Sequence, residues 1–344
     1  MLNSFLLKAD IQIDDSVLQS LAALREQQVA SDEADVQKIA HQLFGLSPKS
    51  CEVLSGGGTF HVIYKIEYES RKLILKTLVN IPGNTNLGLT KQFYLHRVLE
   101  RNNIRAPKVF ALNTEKSLDI PNYLAMEYVD GLSYESLADS PEFNTVAEKL
   151  GRTVALYHQI PTEGCGQILP QENSDKLQTI DGTWKSFLLS QLETHLEICE
   201  QNSYLSGADC KFSATIINEL ADEIKLDQPA MLHCDLGSKN IILTPENELC
   251  IIDWEDAIGG DPIFDIAMWG SFMQNQGKLN YFLKGYYPDD ERPSDFYLRY
   301  FLYSYRILLA KTVHRYRFQY CRSDKIPPAK RLSEALEQLK EVMV

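Results

Sequence analysis

At 344 residues, 44% hydrophobic and 24% charged, the chain holds enough apolar material for two cores and is neither fibrous nor disordered in composition. Its 47 acidic side chains against 34 Lys+Arg give a net charge of −13, which speaks against nucleic acid, whose phosphates are met by basic side chains. No apolar run reaches the roughly 18 residues that span a bilayer, no basic, apolar secretion signal opens the chain, and the seven scattered cysteines form no Cys-x-x-Cys pair.

These features predict a cytoplasmic protein with reduced thiols and neither a nucleic-acid nor a membrane partner. The acidic balance fits a cationic small-molecule partner.

Along the chain, residues 31–44 read as an amphipathic helix with Ser31 as N-cap, acids in its first turn and Gly45 ending it before Pro48. Three alternating runs follow, at 51–54, 60–68 and 72–79, and predict a meander whose first turn is Ser55-Gly56-Gly57-Gly58-Thr59. A helix is expected over 89–101, stopped by Asn102-Asn103, then two strands at 107–112 and 122–129. Five strands and a helix make a first lobe, over residues 1–128.

Residues 129–344 read as a second, mostly helical lobe, with helices at 142–159, 184–202, 211–226, 291–318 and 329–342. The aromatic side chains of the 291–318 segment are expected inside its core. The stretch 231–254 is different, because short apolar strands there bracket polar residues. The fold class predicted is α+β, with an antiparallel five-stranded sheet in one lobe and helices in the other.

The chemistry concentrates in 231–254. His233-Cys234-Asp235-Leu236-Gly237-Ser238-Lys239-Asn240 is followed by a strand, a turn, and Cys250-Ile251-Ile252-Asp253-Trp254. Phosphoryl transfer asks for a carboxylate that takes the acceptor's proton and for oxygen ligands that hold magnesium on the phosphates. Asp235 fits the first need. Asn240 and Asp253, brought together by a hairpin return, fit the second, since magnesium takes oxygen donors and keeps several waters.

Two weaker signals point the same way. Gly56, Gly57 and Gly58 lack the side chains that would keep backbone N–H groups off a polyphosphate, and Thr59 adds a hydroxyl. No Gly-Lys-Ser/Thr follows, so this is not a Walker loop. Lys76 shares a strand face with apolar residues just after that turn, where a phosphate-pairing cation belongs.

In this order the motifs resemble the aminoglycoside phosphotransferase and choline kinase-like family, which has a bilobal protein-kinase-like fold, across roughly residues 50–275. The resemblance implies Asp235 as catalytic base, Asn240 and Asp253 as Mg2+ ligands, and ATP or GTP as co-substrate. It also implies that Met126, Glu127 and Tyr128 meet the nucleobase through their backbone.

Asp261 and Asp265 match the family's following Gly-Asp-Pro signature, and with His233 are read as structural supports of the loop. Glu255 and Asp256, just past Asp253, are candidate contacts to a cationic acceptor. Within the family, Gly237-Ser238 and the segment 183–187 most resemble the hygromycin B phosphotransferase branch.

One departure stands out. The family places an acid, paired with the lysine, where this chain has Gln92; Glu100 is eight residues further, about 12 Å along a helix. The acceptor expected is a hydroxylated, cationic aminocyclitol-like compound in an acidic cleft. The alternatives are a small metabolic alcohol such as choline, a fructosamine or homoserine, or a nucleotide-binding pseudokinase. Too few residues separate Asp253 from Asp261 for a protein kinase's activation segment.

Overall fold

A computed structural model describes residues 15–54, 60–79, 86–115, 121–138, 140–170, 177–180, 182–318 and 326–343. These form mixed helix and sheet in two compact units, one running to Asp130 and the other beginning at Gly131. The turn Gly56-Gly57-Gly58-Thr59 lies outside the described residues.

The first unit opens with α1 (Asp15–Phe44). Ser31 lies inside this helix and is not its cap, because nothing between Asp15 and Ala30 breaks a helix: no Gly or Pro occurs there. Gly45 does end it, at φ +65, with its N–H on the His41 carbonyl at 2.7 Å. Strands β1 (Ser50–Val53), β2 (His61–Glu67) and β3 (Lys72–Leu78) form the expected meander. Helix α2 (Leu87–Arg101), β4 (Val109–Asn113) and β5 (Tyr123–Glu127) complete an antiparallel sheet of order β1-β2-β3-β5-β4.

One face of that sheet is set by α2. Leu89 of the helix packs with Leu124 and Met126 of β5, and Ile74 and Leu78 of β3 join them. Since side chains alternate along a strand, Lys76, between Ile74 and Leu78, faces the same way.

In the second unit, β6 (Leu132–Ser133) pairs with β9 (Ile241–Leu243), which pairs with β10 (Leu249–Ile251). A second small sheet sets β11 (Ile258–Gly260) between β7 (Gly166–Gln167) and β8 (Ala230–Leu232). The helices are α3 (Phe143–Tyr157), α4 (Trp184–Leu189), α5 (Leu192–Gln201), α6 (Gly207–Glu223), α7 (Pro262–Gly270), α8 (Leu279–Tyr286), α9 (Phe296–Phe318) and α10 (Ala329–Val342).

The helix expected over 184–202 is two helices, broken where Gln191 takes φ +55. Buried Arg306 of α9 holds the break: Nε donates to the Leu188 carbonyl at 2.8 Å, a second nitrogen to the Ser190 carbonyl at 2.6 Å, and a third lies 3.1 Å from His195 Nδ1. Carbonyls that end a helix need such donors.

Helices α3 and α8 approach closely. A Cβ on Gly151 would lie 2.1 Å from the Phe282 carbonyl oxygen, and one on Gly285 1.8 Å from that of Glu148. Tyr303 and Tyr305 of α9 are fully buried, as the sequence leads one to expect, whereas Tyr297 at its start is exposed.

Candidate active site

The loop between β8 and β9 takes its shape from its own hydrogen bonds. Gly237 N–H donates to the Asp235 carbonyl at 2.7 Å, and Asn240 N–H to that of Gly237 at 2.9 Å. The Asn240 side-chain Nδ2 reaches back to both the Asp235 carbonyl and Asp235 Oδ2, each at 2.9 Å. Asp235 Oδ1 takes no hydrogen bond among the described residues. Spacing of five residues thus becomes direct contact, and Asp235 keeps one oxygen uncommitted.

Buried Asp265 of α7 anchors the start of the loop. Its Oδ2 accepts from His233 N–H and its Oδ1 from Cys234 N–H, both at 2.7 Å. Tyr157 donates to Oδ2 at 2.8 Å, and His158 Nε2 lies 3.3 Å from it. His158 Nδ1 in turn meets the Tyr286 hydroxyl of α8 at 2.8 Å. Burial alone would raise the Asp265 carboxyl, but the His158 hydrogen bond, the two nearby imidazoles and the His233 amide hold it below the ordinary carboxylate value.

His233 fixes the other strand of the hairpin. Its Nδ1 accepts from Asp235 N–H at 3.1 Å, which leaves the proton on Nε2 to donate to the Ile252 carbonyl at 2.9 Å. Its ring sits edge-on to Trp254, centroids 4.5 Å apart. Cys234 and Asp253 both adopt left-handed backbone, at φ +61 and +69, a conformation costly for residues with a Cβ and frequent at functional sites. Cys234 and Cys250 are fully buried.

Ile252 N–H donates to the Asn240 carbonyl at 2.9 Å, so the segment carrying Asp253 is tied to the loop carrying Asn240. With Nδ2 spent on Asp235, the coordinating atom left on Asn240 is its amide oxygen. That oxygen and the half-buried Asp253 carboxylate are hard donors and fit magnesium.

Glu255 and Asp256 are 7% and 3% exposed, so they are not solvated surface acids. Asp261 Oδ1 caps α7 through Ile263 N–H at 3.0 Å, while Oδ2 takes Tyr303 at 2.7 Å and Arg299 at 3.1 Å.

In the first unit, Lys76 is buried, as is Gln92 on the sheet-facing side of α2, whereas Glu100 is exposed. The register that would bring Glu100 to that face is therefore not adopted. Glu127 is bound bidentately by Arg105, at 2.7 and 2.9 Å, and by Lys108 N–H at 3.0 Å. Burial pushes its carboxyl up, and Arg105 with the Lys108 amide outweighs that and lowers it. Glu127 N–H donates to the Lys108 carbonyl at 2.8 Å, so in the first unit neither its side chain nor its amide is uncommitted. The Tyr128 ring receives Lys65 and Lys72, 5.2 and 5.5 Å from its centre, and Met126 lies in the α2-facing core.

A family model described as the phosphotransferase enzyme family matches residues 50–302. The chain belongs to that family. Among solved structures, the aminoglycoside phosphotransferase APH(4)-Ia is similar with a TM-score of 0.64 at 17% identity, over 90% of this chain and 97% of that one. A choline kinase from Streptococcus pneumoniae gives 0.62 at 16%, over 90% and 99%. A choline/ethanolamine kinase family protein from Mesorhizobium loti gives 0.59 at 16%, over 91% and 94%. At such identities the likeness is one of fold.

As a member of the phosphotransferase family, the chain carries features at its loop that sequence reasoning did not single out: Tyr157, His158 and Tyr286 behind Asp265, and Phe272 and Gln274 beside Gly237 and Ser238. Gln274 Nε2 donates to Ser238 Oγ, and a Cβ on Gly237 would lie 3.3 Å from Phe272 Cζ. Only a chemical hint was available, a Tyr-His pair closing a helix. Among the described residues, no helix is long and apolar enough to cross a membrane.

Proposed function

We propose that this phosphotransferase is a small-molecule kinase, transferring the γ-phosphoryl group of ATP or GTP to a hydroxyl of its acceptor with Asp235 as base. The observation that carries this reading is the state of Asp235. One oxygen is held by Asn240, the other is uncommitted, and the backbone beneath is anchored by buried Asp265. A carboxylate so oriented accepts the hydroxyl's proton as the oxygen attacks.

Asn240 and Asp253 would hold Mg2+, which when bound offsets the charge of the phosphates. Lys76 and the Gly56–Thr59 turn are assigned to the nucleotide's phosphates, and the backbone of Met126 to Tyr128 to its base. Glu127 contributes least to that last assignment, its amide being bound to Lys108. Residues 1–128 are taken as the nucleotide-binding lobe and 129–344 as the lobe of loop and acceptor. A cytoplasmic setting follows from the nucleotide co-substrate.

For the acceptor, two classes stand in the family's range: aminoglycoside-like cations, the basis of an antibiotic-resistance reading, and small metabolic alcohols. The burial of Glu255 and Asp256 speaks against the contact to a cation that was assigned to them, in either class.

The test is nucleotide turnover with magnesium against aminoglycosides, choline, fructosamines and homoserine. Asp235→Ala is expected to lower kcat by roughly 100-fold or more with nucleotide affinity unchanged. Asp253→Ala is expected to weaken binding of the magnesium-nucleotide complex. Equal loss of nucleotide affinity in Asp235→Ala would remove that residue from the role of base.

A further inference from the structure

Helix α3 ends on Tyr157 and His158, and both side chains reach the fully buried Asp265 of α7. The Trp254 indole meets the Tyr157 ring edge-on, with centroids 5.0 Å apart. His158 is met instead by Tyr286 of α8, whose hydroxyl lies 2.8 Å from Nδ1 and whose ring centre lies 5.5 Å from that of the imidazole. Close packing of α8 on α3 at Gly151 and Gly285 brings that hydroxyl there.

The protons along this line follow from its two ends. Asp265, held below the ordinary carboxylate value, is ionised and only accepts, so His158 Nε2 carries the proton that points at Oδ2, 3.3 Å away. Tyr286 stays protonated, because burial first, then Tyr287 and the charges of Asp261 and Asp265, push its hydroxyl well above the ordinary 10.0. A neutral His158 then has its lone pair on Nδ1, and the Tyr286 hydroxyl donates to it.

Which ring nitrogen of a histidine holds the proton is set by the bond the other one makes. Without the Tyr286 hydroxyl the proton is free to move to Nδ1, and the Nε2 lone pair would then face a carboxylate oxygen. The same carboxylate accepts the amides of His233 and Cys234, and Asp235 is the next residue. The line thus runs from α8 across α3 and α7 to the residue that bears the uncommitted oxygen.

We propose that Tyr286 is a positioning residue for Asp235, steadying its loop by locking His158 in the tautomer that donates to Asp265. The inference rests on the kinase reading for its effect on turnover and stands apart from it for its effect on the loop.

Tyr286→Phe keeps the ring and removes only the hydroxyl. Amide hydrogen exchange of the full chain, resolved to single residues, is compared between this variant and the wild type. Exchange at the His233 and Cys234 amides is expected to quicken about threefold to tenfold, the worth of one hydrogen bond, while the amides of α6 keep their rates. Unchanged exchange at His233 and Cys234 would overturn the inference. So would an equal gain in α6, which would mean that the variant only loosens the unit as a whole.

In the same variant, turnover of the magnesium-nucleotide complex on the acceptors above is expected to fall about fivefold in kcat with the nucleotide KM steady. The fall should vanish when Tyr286→Phe is introduced into His158→Phe, since the hydroxyl then has no imidazole to act on. An unchanged kcat, a fall of the same size in both backgrounds, or a change confined to the nucleotide KM would also overturn the inference and leave the kinase reading intact. If the wild type phosphorylates none of these acceptors, the kinase reading fails, and exchange at His233 and Cys234 still decides whether Tyr286 holds the loop.

Discussion

With Asp265 accepting from the amides of His233 and Cys234, from the Tyr157 hydroxyl and from His158, its removal would strand four donors in a fully buried setting. Asp265→Ala is therefore expected to cost about 3–5 kcal/mol of stability, the scale for breaking a buried charge network. Turnover should fall with it, because Asp235 follows directly on those two amides. Urea unfolding and kcat measured on the same preparation check this; an unchanged midpoint would mean that other contacts hold the loop.

The sequence drew attention to Asp235, Asn240 and Asp253 because their spacing is local and their chemistry is uncommon in combination. It did not reveal Tyr157 and His158, whose bonds to Asp265 span more than a hundred residues. A side chain's distant partner leaves no trace in the residues beside it.

The pairing of α3 with α8 depends on absent side chains, since the Gly285 Cβ position lies 1.8 Å from a backbone oxygen that cannot move aside. Gly285→Ala is expected to push α8 outward, loosen the Tyr286 bond to His158 one residue further on, and destabilise the protein by about 1–3 kcal/mol. Melting temperature is the check. A neutral substitution would show that the two helices can slide apart without loss.

At this scale the sequence was legible where periodicity was long, as in the meander of β1 to β3. It was misleading where tertiary contacts decide. Residues 184–202 carry one helical pattern, and Arg306, from another helix, stabilises the break within it. The short α8, with its glycine, was missed because its pattern spans barely two turns.

For the whole molecule, stability should peak in a window of pH whose edges are set by buried titratable groups. Burial, with the adjacent Arg306 charge, holds His195 well below its ordinary value of 6.5. The unfolded chain gains a proton as pH drops beneath 6.5 while the folded chain does not, so this contribution is present above 6.5 and lost below it. On the alkaline side, burial pushes Tyr68, Tyr287 and Tyr300 from 10.0 to about 12. Their contribution is full below 10 and is lost as pH rises toward 12.

Urea midpoints followed across pH should therefore fall on both sides, and His195→Gln should flatten the acid limb. An acid limb of unchanged slope in that variant would remove His195 as its cause. The two-unit α+β architecture was legible in the sequence because it rests on the change from period two to period 3.6 near residue 130. The line of bonds from Tyr286 to Asp265 was not, because it needs α3, α7 and α8 to be placed together.

The burial of Cys234 and Cys250 has a practical consequence. These thiols lie in the loop of Asp235 and in the strand leading to Asp253, and both are closed to solvent. Alkylation at either therefore waits for the hairpin to open, and its rate is a clock for that event. Cys51, half-buried in the other unit, supplies an internal reference. A covalent label thus reads local opening directly, before any acceptor has been identified.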